Sequence, residues 1–104
     1  MKSSSTAMAM LLLCAAGPAL ASEKIATASG CVACHASAKK LVGPSYKDIA
    51  AKYKGNADAP ALLAERIRKG SKGVWGTVPM PPTPAARLND ADLKAVVAWV
   101  LKTP

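Results

Sequence analysis

The stretch Gly30-Cys31-Val32-Ala33-Cys34-His35 places two thiols three positions apart and an imidazole directly after the second. This spacing is the attachment signature of a c-type haem. Two residues between the cysteines let one turn of backbone present both sulfurs to the two vinyl groups at one edge of the porphyrin. The following histidine then lies under the ring as the proximal ligand. We predict one haem c, bound covalently through Cys31 and Cys34, with His35 on its iron.

Three other kinds of site use the same residues. A redox dithiol of the thioredoxin kind also carries Cys-x-x-Cys, but no βαβ pattern surrounds this one. A zinc site needs four ligands, and beyond residue 21 the chain offers three strong ones, since His35 is its only histidine. A structural disulfide between Cys31 and Cys34 would leave the adjacent histidine without a role. Haem attachment is the interpretation that uses all three side chains.

The first 21 residues have the pattern of a secretory signal peptide. A lysine stands near the start, an apolar run covers residues 7–16, and Ala19-Leu20-Ala21 fits the small-x-small cleavage rule. A membrane anchor would need about 20 apolar residues, so stable membrane insertion is not expected. We predict cleavage after Ala21, export to a bacterial periplasm and a single domain over residues 22–104.

Capping and termination signals divide that domain into short helices. We expect a first helix over residues 22–28, a second over residues 46–54 capped by Ser45, and a third that Asp58 caps and Gly70 closes. No strand pattern competes with them. The predicted fold class is all-α, with three to four short helices.

The last helix and the loop before it carry the clearest patterns. Asn89 is the expected N-cap, and the apolar residues after it repeat at intervals of three and four: Leu93, Val96, Val97, Val100 and Leu101. Residues 70–84 form a Gly- and Pro-rich loop with an apolar interior. A loop with this many apolar residues is expected to pack over an apolar surface or group. A haem is the large apolar body that a short chain without Phe otherwise lacks.

The sixth position of the iron decides the function. If it is open, the protein can bind NO, CO or peroxide as a sensor or a peroxidase; if a side chain fills it, electron transfer remains. Beyond the signal, the candidates are lysines and one methionine, Met80. Pro79, Pro81 and Pro82 fix the backbone around this thioether, although filling a core gap is an alternative role for it. We predict His35/Met80 ligation and a one-electron carrier with no catalytic residues.

Three stretches carry a resemblance to a known family: Cys31-Val32-Ala33-Cys34-His35, Val42-Gly43-Pro44 and Gly73-Val74-Trp75-Gly76-Thr77-Val78-Pro79-Met80-Pro81-Pro82. They are similar to the short bacterial class I cytochromes c, periplasmic electron donors to haem nitrite reductase and terminal oxidases. The resemblance implies a small cytochrome c fold wrapped around the haem. It also implies that Pro44 accepts a hydrogen bond from His35 Nδ1, and that Arg66 and Trp75 donate to a haem propionate. From the residues alone, Arg66 could be a solvated helix residue and Trp75 a core residue.

Two features depart from that family's pattern. Thr83 stands where many members carry an asparagine that bonds the methionine sulfur, which bears on the redox potential. The segment of residues 84–88 is a few residues longer than usual, which bears on how the chain approaches its last helix.

Charge indicates the kind of partner. The formal net charge is +8, and it falls by one when Lys2 leaves with the signal. Nucleic acid is not expected, because the lysines are scattered without the interleaved aromatic residues of single-strand binders. We predict a monomer in which Lys39, Lys40 and Lys72 surround the exposed haem edge. They would steer acidic redox proteins, a respiratory donor complex and a nitrite reductase or cytochrome oxidase, into short-lived contacts.

Overall fold

The computed structural model of the chain describes residues 18–104, so most of the predicted signal peptide lies outside it. Its helices are α1 (Pro18–Ala28), α2 (Tyr46–Tyr53), α3 (Ala59–Lys69) and α4 (Asp90–Leu101), with a 3₁₀ turn at Cys31–Ala33. Strand-like pairing in the described range is limited to two isolated bridges. None of these helices combines the length and the apolar character needed to cross a membrane. The predicted all-α fold class is confirmed.

The first helix begins four residues earlier than predicted. Proline is favourable in a first helical turn, and the Ala-Leu-Ala that follows Pro18 forms helix readily. The helix therefore continues across the predicted cleavage position. Ser22 is buried, and its Oγ donates to the carbonyl of Ala95 at 3.4 Å. This bond ties α1 to α4, and Ala26 is buried completely nearby in α1.

Two of the three predicted N-caps are confirmed. Ser45 Oγ and Asn89 Oδ1 each accept from the amide three residues later, at 3.0 and 2.9 Å. Asp58 occupies the N-cap position of α3, but its side chain makes no capping hydrogen bond, so that prediction is wrong. Its own amide donates to Asn56 Oδ1 at 2.9 Å instead. The side chain of Asn56 thus organises the turn before α3.

The apolar stripe of α4 forms the centre of the core, as its period predicted. Four of its residues are buried: Leu93, Val96, Val97 and Val100. On one side they pack against Tyr46, Ile49 and Tyr53, and on the other against Leu88 and the inner residues of α3. Helices α1, α2 and α3 all pack on α4. Burying each Val or Leu contributes roughly 1.5–3 kcal/mol, so α4 is the main scaffold of the fold.

Candidate cofactor site

A cavity of about 530 Å³ lies between the helices and the loop of residues 70–84. Its volume is within the usual range of cofactor sites. Part of its wall is the apolar core: Ile49, Leu63, Ile67, Val96, Val97 and Val100. All seven residues predicted to bind the cofactor also line it: Cys31, Cys34, His35, Pro44, Arg66, Trp75 and Met80. The fold therefore brings the whole predicted set to one place.

The two thiols lie on a single turn of backbone. Gly30 begins the turn with φ +86°, in the left-handed region that glycine adopts without strain. The amides of Cys34 and His35 both donate to the carbonyl of Cys31, at 3.2 and 3.0 Å. Cys31 and Cys34 are half-buried and form no disulfide. Burial raises the pKa of the Cys31 thiol, a backbone hydrogen bond partly offsets the rise, and Cys34 adds to it.

The imidazole of His35 is fixed by contacts on several sides. Its Nδ1 donates to the carbonyl of Pro44 at 2.7 Å, the hydrogen bond that the resemblance implied. Nε2 therefore keeps its lone pair for a metal. A Cβ at Gly43 would lie 2.6 Å from His35 Cε1, so the backbone passes the ring too closely for any other residue. The ring of Tyr46 stacks on the imidazole, with centroids 5.7 Å apart.

Tyr46 joins the histidine to the core. Its ring meets Trp99 of α4 edge-on, with centroids 5.1 Å apart. The side chain is buried, and its hydroxyl makes no hydrogen bond in the described part of the chain. Burial, followed by the proximity of Cys31, raises the pKa of Tyr46 to about 12. Sequence reasoning missed this residue, because an aromatic residue early in a helix looks like ordinary core.

Met80 is held through its backbone. Ser71 and Met80 exchange two hydrogen bonds, N–H to carbonyl in each direction, at 3.1 and 2.7 Å. Gly70, with φ +78°, precedes this pair, and a Cβ there would lie 2.7 Å from the Met80 carbonyl oxygen. Three residues later, Thr83 donates its N–H to the carbonyl of Ile67 at 2.8 Å. Prolines alone were expected to hold this loop, and these backbone anchors were not predicted.

Arg66 and Trp75 lie in the cavity wall and make specific contacts. Arg66 is half-buried, donates from Nη1 to the hydroxyl of Tyr53, and has its guanidinium 5.8 Å from the centroid of that ring. Trp75 is 39% exposed, and Lys52 Nζ lies 5.2 Å from the centroid of one of its rings. The sequence left two alternatives open, a solvated Arg66 and a core Trp75. In the structure Arg66 is partly buried and hydrogen-bonded, and Trp75 is exposed at the cavity.

The residues present fit a c-type haem better than a zinc ion. Within residues 18–104, no three His, Cys, Asp or Glu side chains come close enough together to hold a metal ion. The cavity instead combines an apolar wall, two unbonded thiols, an imidazole with one nitrogen committed, and a thioether. An imidazole and a thioether are the axial ligands of the cytochromes c.

Comparison with known proteins finds a sequence family and relatives that match most of the chain. The sequence model of the family Cytochrome c matches residues 18–104. Cytochrome c2 of Rubrivivax gelatinosus is 60% identical over 81 residues, which are 78% of this chain and 95% of that protein. Cytochrome c-551 of Pseudomonas aeruginosa is 47% identical over 100 residues, which are 89% of this chain and 93% of that protein.

The fold is also similar to that of a solved protein. The crystal structure of wild-type cytochrome c552 from Nitrosomonas europaea aligns with a TM-score of 0.74 at 46% sequence identity. The alignment covers 79% of this chain and 99% of that one.

Proposed function

The chain belongs to the cytochrome c family, and from this premise we propose that it carries single electrons with its iron ligated by His35 and Met80. Cytochromes c are electron carriers with a covalently bound haem, and Cys31 and Cys34 have the spacing for its attachment. When bound, the haem supplies an iron that alternates between Fe(III) and Fe(II). The observation that carries the proposal is the single cavity lined by both thiols, the imidazole and the thioether.

On the proximal side, the chain controls the orientation and the basicity of the imidazole. The hydrogen bond from His35 Nδ1 to Pro44 selects the tautomer in which Nε2 is the ligand. Stacking against Tyr46 and the close backbone of Gly43 restrict rotation of the ring. A ring restrained in this way would hold an iron in the same orientation in both oxidation states, and little rearrangement would accompany electron transfer.

Met80, which lines the same cavity, would fill the sixth position of a bound haem iron. A soft thioether favours Fe(II) and raises the reduction potential. The N–H and the carbonyl of Met80 are both hydrogen-bonded to the backbone of Ser71, so the position of the Met80 Cα is fixed. A closed sixth position leaves no place for a substrate, and we therefore propose a carrier with no catalytic residues.

Arg66 and Trp75 would hold the propionates. Tyr53 accepts from one of the five N–H donors of the Arg66 guanidinium, and the others remain for carboxylates. Bidentate pairing with a carboxylate is the strongest contact that a guanidinium makes. The indole N–H of Trp75 at the cavity rim would donate to the same group.

Charge supports acidic redox proteins as partners. Residues 25–47 and 66–89, which supply most of the cavity lining, contain basic side chains and no Asp or Glu. The basic residues are Lys39, Lys40, Lys47, Arg66, Arg68, Lys69, Lys72 and Arg87. The acidic residues all lie in other segments of the chain, and of these only Asp48 lines the cavity. We propose that this asymmetry steers a respiratory donor complex, and an oxidase or nitrite reductase, to the cavity side of a monomer.

The site of action follows from the predicted signal peptide. Export of the chain would place it in the bacterial periplasm with residues 1–21 removed. Mass spectrometry of the protein from a periplasmic fraction tests this, with Ser22 expected as the first residue. A protein that retains residues 1–21 would contradict the proposal.

The decisive experiment for ligation is the Met80→Ala substitution in the holoprotein. We expect loss of the weak long-wavelength absorption band of a thioether–Fe(III) bond and a lower reduction potential. The matched control is Val78→Ala in the same loop, because Val78 is 61% exposed and its truncation should leave the band unchanged. A wild-type protein that lacks the band and binds CO readily would instead be a sensor or a peroxidase.

The steering proposal is tested by electron transfer to small complexes of opposite charge. The rate constant with an anionic acceptor should fall as ionic strength rises, and that with a cationic acceptor should rise. Lys40→Gln combined with Lys72→Gln, both at the cavity, should weaken this dependence, whereas Lys102→Gln should not. A rate that ignores ionic strength for both acceptors would contradict steering.

A further inference from the structure

Arg68 of α3 makes three hydrogen bonds to the segment that follows Met80. Its side chain is 23% exposed. Nη1 donates to the carbonyls of Leu88 at 2.6 Å and Thr83 at 3.1 Å, and Nη2 donates to Asp90 Oδ1 at 2.8 Å. The planar fork of a guanidinium can make three such bonds at once, which an ammonium group cannot match in geometry.

The bond to Thr83 reaches the methionine loop. Because the two residues after Met80 are prolines, Thr83 is the first residue beyond it with an amide that can donate. That amide donates to Ile67, and the carbonyl of the same residue accepts from Arg68. The prolines fix φ at the positions between, so the place of Thr83 sets the course of the backbone at Met80. Two consecutive residues of α3, Ile67 and Arg68, thus bind the amide and the carbonyl of Thr83.

The same guanidinium holds residues 84–88, the segment that is longer than usual for the family, against α3. Two amides at its end donate to the carbonyl of Pro84, at 3.0 and 3.1 Å, and close a turn. Leu88 is 2% exposed and packs into the core. Arg68 binds the carbonyl of Leu88 and the side chain of Asp90, so the extra residues lie against α3.

We propose that Arg68 is a positioning residue for Met80 and keeps the thioether on the iron by holding Thr83. This inference rests on the proposed His35/Met80 ligation. Without Arg68, Thr83 would be held only by the bond from its amide to Ile67 and could turn about that bond. The bond from Arg68 to the Thr83 carbonyl removes that freedom and lowers the population of states in which Met80 has left the iron.

The test is a titration of the ferric holoprotein with imidazole, which displaces Met80 from the iron. The loss of the thioether–Fe(III) absorption band measures this displacement. Arg68→Gln removes the three charge-assisted bonds, so the apparent dissociation constant for imidazole should fall about tenfold. Arg68→Lys keeps the charge and the stem but loses the fork, and we expect a fall of about threefold. Lys69→Gln is the matched control, since Lys69 bonds Glu65 within α3 and its substitution should leave the constant unchanged.

The outcomes separate this inference from the proposed function. A wild-type protein without the band would overturn the ligation and the inference together. A wild-type protein with the band, and Arg68 variants with unchanged imidazole affinity, would overturn the inference alone, even if their melting temperature falls. Arg68→Lys decides the question by itself if Arg68→Gln yields no holoprotein.

Discussion

His35 and Met80 line the same cavity, but the segments that carry them are built differently. The imidazole is fixed as a side chain, by the carbonyl of Pro44, by the close backbone at Gly43 and by the ring of Tyr46, which belongs to the core. Met80 lies in a loop with many exposed side chains, and what is fixed there is backbone. The imidazole is held by packing and one side-chain hydrogen bond, whereas Met80 is held by backbone hydrogen bonds of its loop.

This difference determines which substitutions reach which ligand. A side chain held by the core moves only when the core is changed, so alterations on the histidine side should appear first as lost stability. A loop held at a few backbone positions can shift without disturbing the core, so alterations there should appear in the methionine bond. Thr83 and residues 84–88, the two departures from the family pattern, both belong to the second region.

The largest effect is expected from Gly43→Ala, which attacks the histidine side directly. The added Cβ would lie 2.6 Å from His35 Cε1, and the imidazole cannot turn away without breaking its bond to Pro44. We expect the free energy of unfolding of the holoprotein to fall by about 3 kcal/mol. Denaturant titration followed by haem absorbance measures it. Gly55→Ala, at an open position with φ +78°, is the control and should cost only about 1 kcal/mol. Equal losses would show that packing does not hold His35.

The methionine side offers a second pair of glycines, Gly70 and Gly73, whose φ values of +78° and +82° both strain an alanine. At Gly70 the ψ of 170° adds to the cost, because essentially only glycine adopts that combination. A Cβ at Gly70 would lie 2.7 Å from the Met80 carbonyl, whereas nothing lies within 4 Å of one at Gly73. We expect Gly70→Ala to be about 2 kcal/mol less stable than Gly73→Ala, and to lose the thioether–Fe(III) band at a lower imidazole concentration. Indistinguishable variants would show that the loop yields without moving Met80.

The smallest effect concerns Tyr46 and depends on pH. Its pKa is raised from 10.0 towards about 12 in the folded chain, mainly by burial, and the smaller contribution of the Cys31 thiolate would be lost once that sulfur is bonded to haem. The unfolded tyrosine therefore loses its proton first. The contribution of the neutral phenol to stability is therefore complete below pH 10 and is lost as pH rises towards 12. Tyr46→Phe should remove this part of the pH dependence. Below pH 10 it should change the free energy of unfolding by less than about 1 kcal/mol, because the hydroxyl makes no hydrogen bond within residues 18–104 that could be lost.

Tyr53→Phe is the control for this comparison of hydroxyl groups. It removes a hydroxyl that accepts from Arg66, so it should destabilise the protein at neutral pH as well. Unfolding free energies measured from pH 7 to pH 12 distinguish the two tyrosines. If the Tyr46→Phe variant loses as much unfolding free energy at alkaline pH as the wild type, then Tyr46 does not cause that loss.

Local chemistry explains which features the sequence predicts. The caps at Ser45 and Asn89 and the period of α4 depend on residues within one or two helical turns. Asp58 shows where such local prediction fails. The side chain of Asn56 accepts from the Asp58 amide, and residue types alone do not tell whether Asn56 or Asp58 organises the start of α3. Cys31, Cys34 and His35 were recognisable because attachment of a haem requires their spacing.

The rest of the site depends on contacts between distant segments. The pairing of Ser71 with Met80 occurs without any strand pattern, and Arg68 bonds residues 15 to 22 positions away. The roles of Pro44, Arg66 and Trp75 were available only from the family resemblance. No periodicity or capping rule leads to such contacts, because they depend on how the helices place the loop.

The prolines of the methionine loop have a consequence for association. Val78 is 61% exposed beside the cavity and is followed by the proline-rich stretch of residues 79–82. An exposed apolar strand with free amides is normally a template for adding strands and for aggregation. From position 79 to 82 only Met80 has an amide hydrogen, and it is already bonded to Ser71. The segment can therefore offer apolar surface to a redox partner for brief docking without donating the hydrogen bonds that would build a fibril.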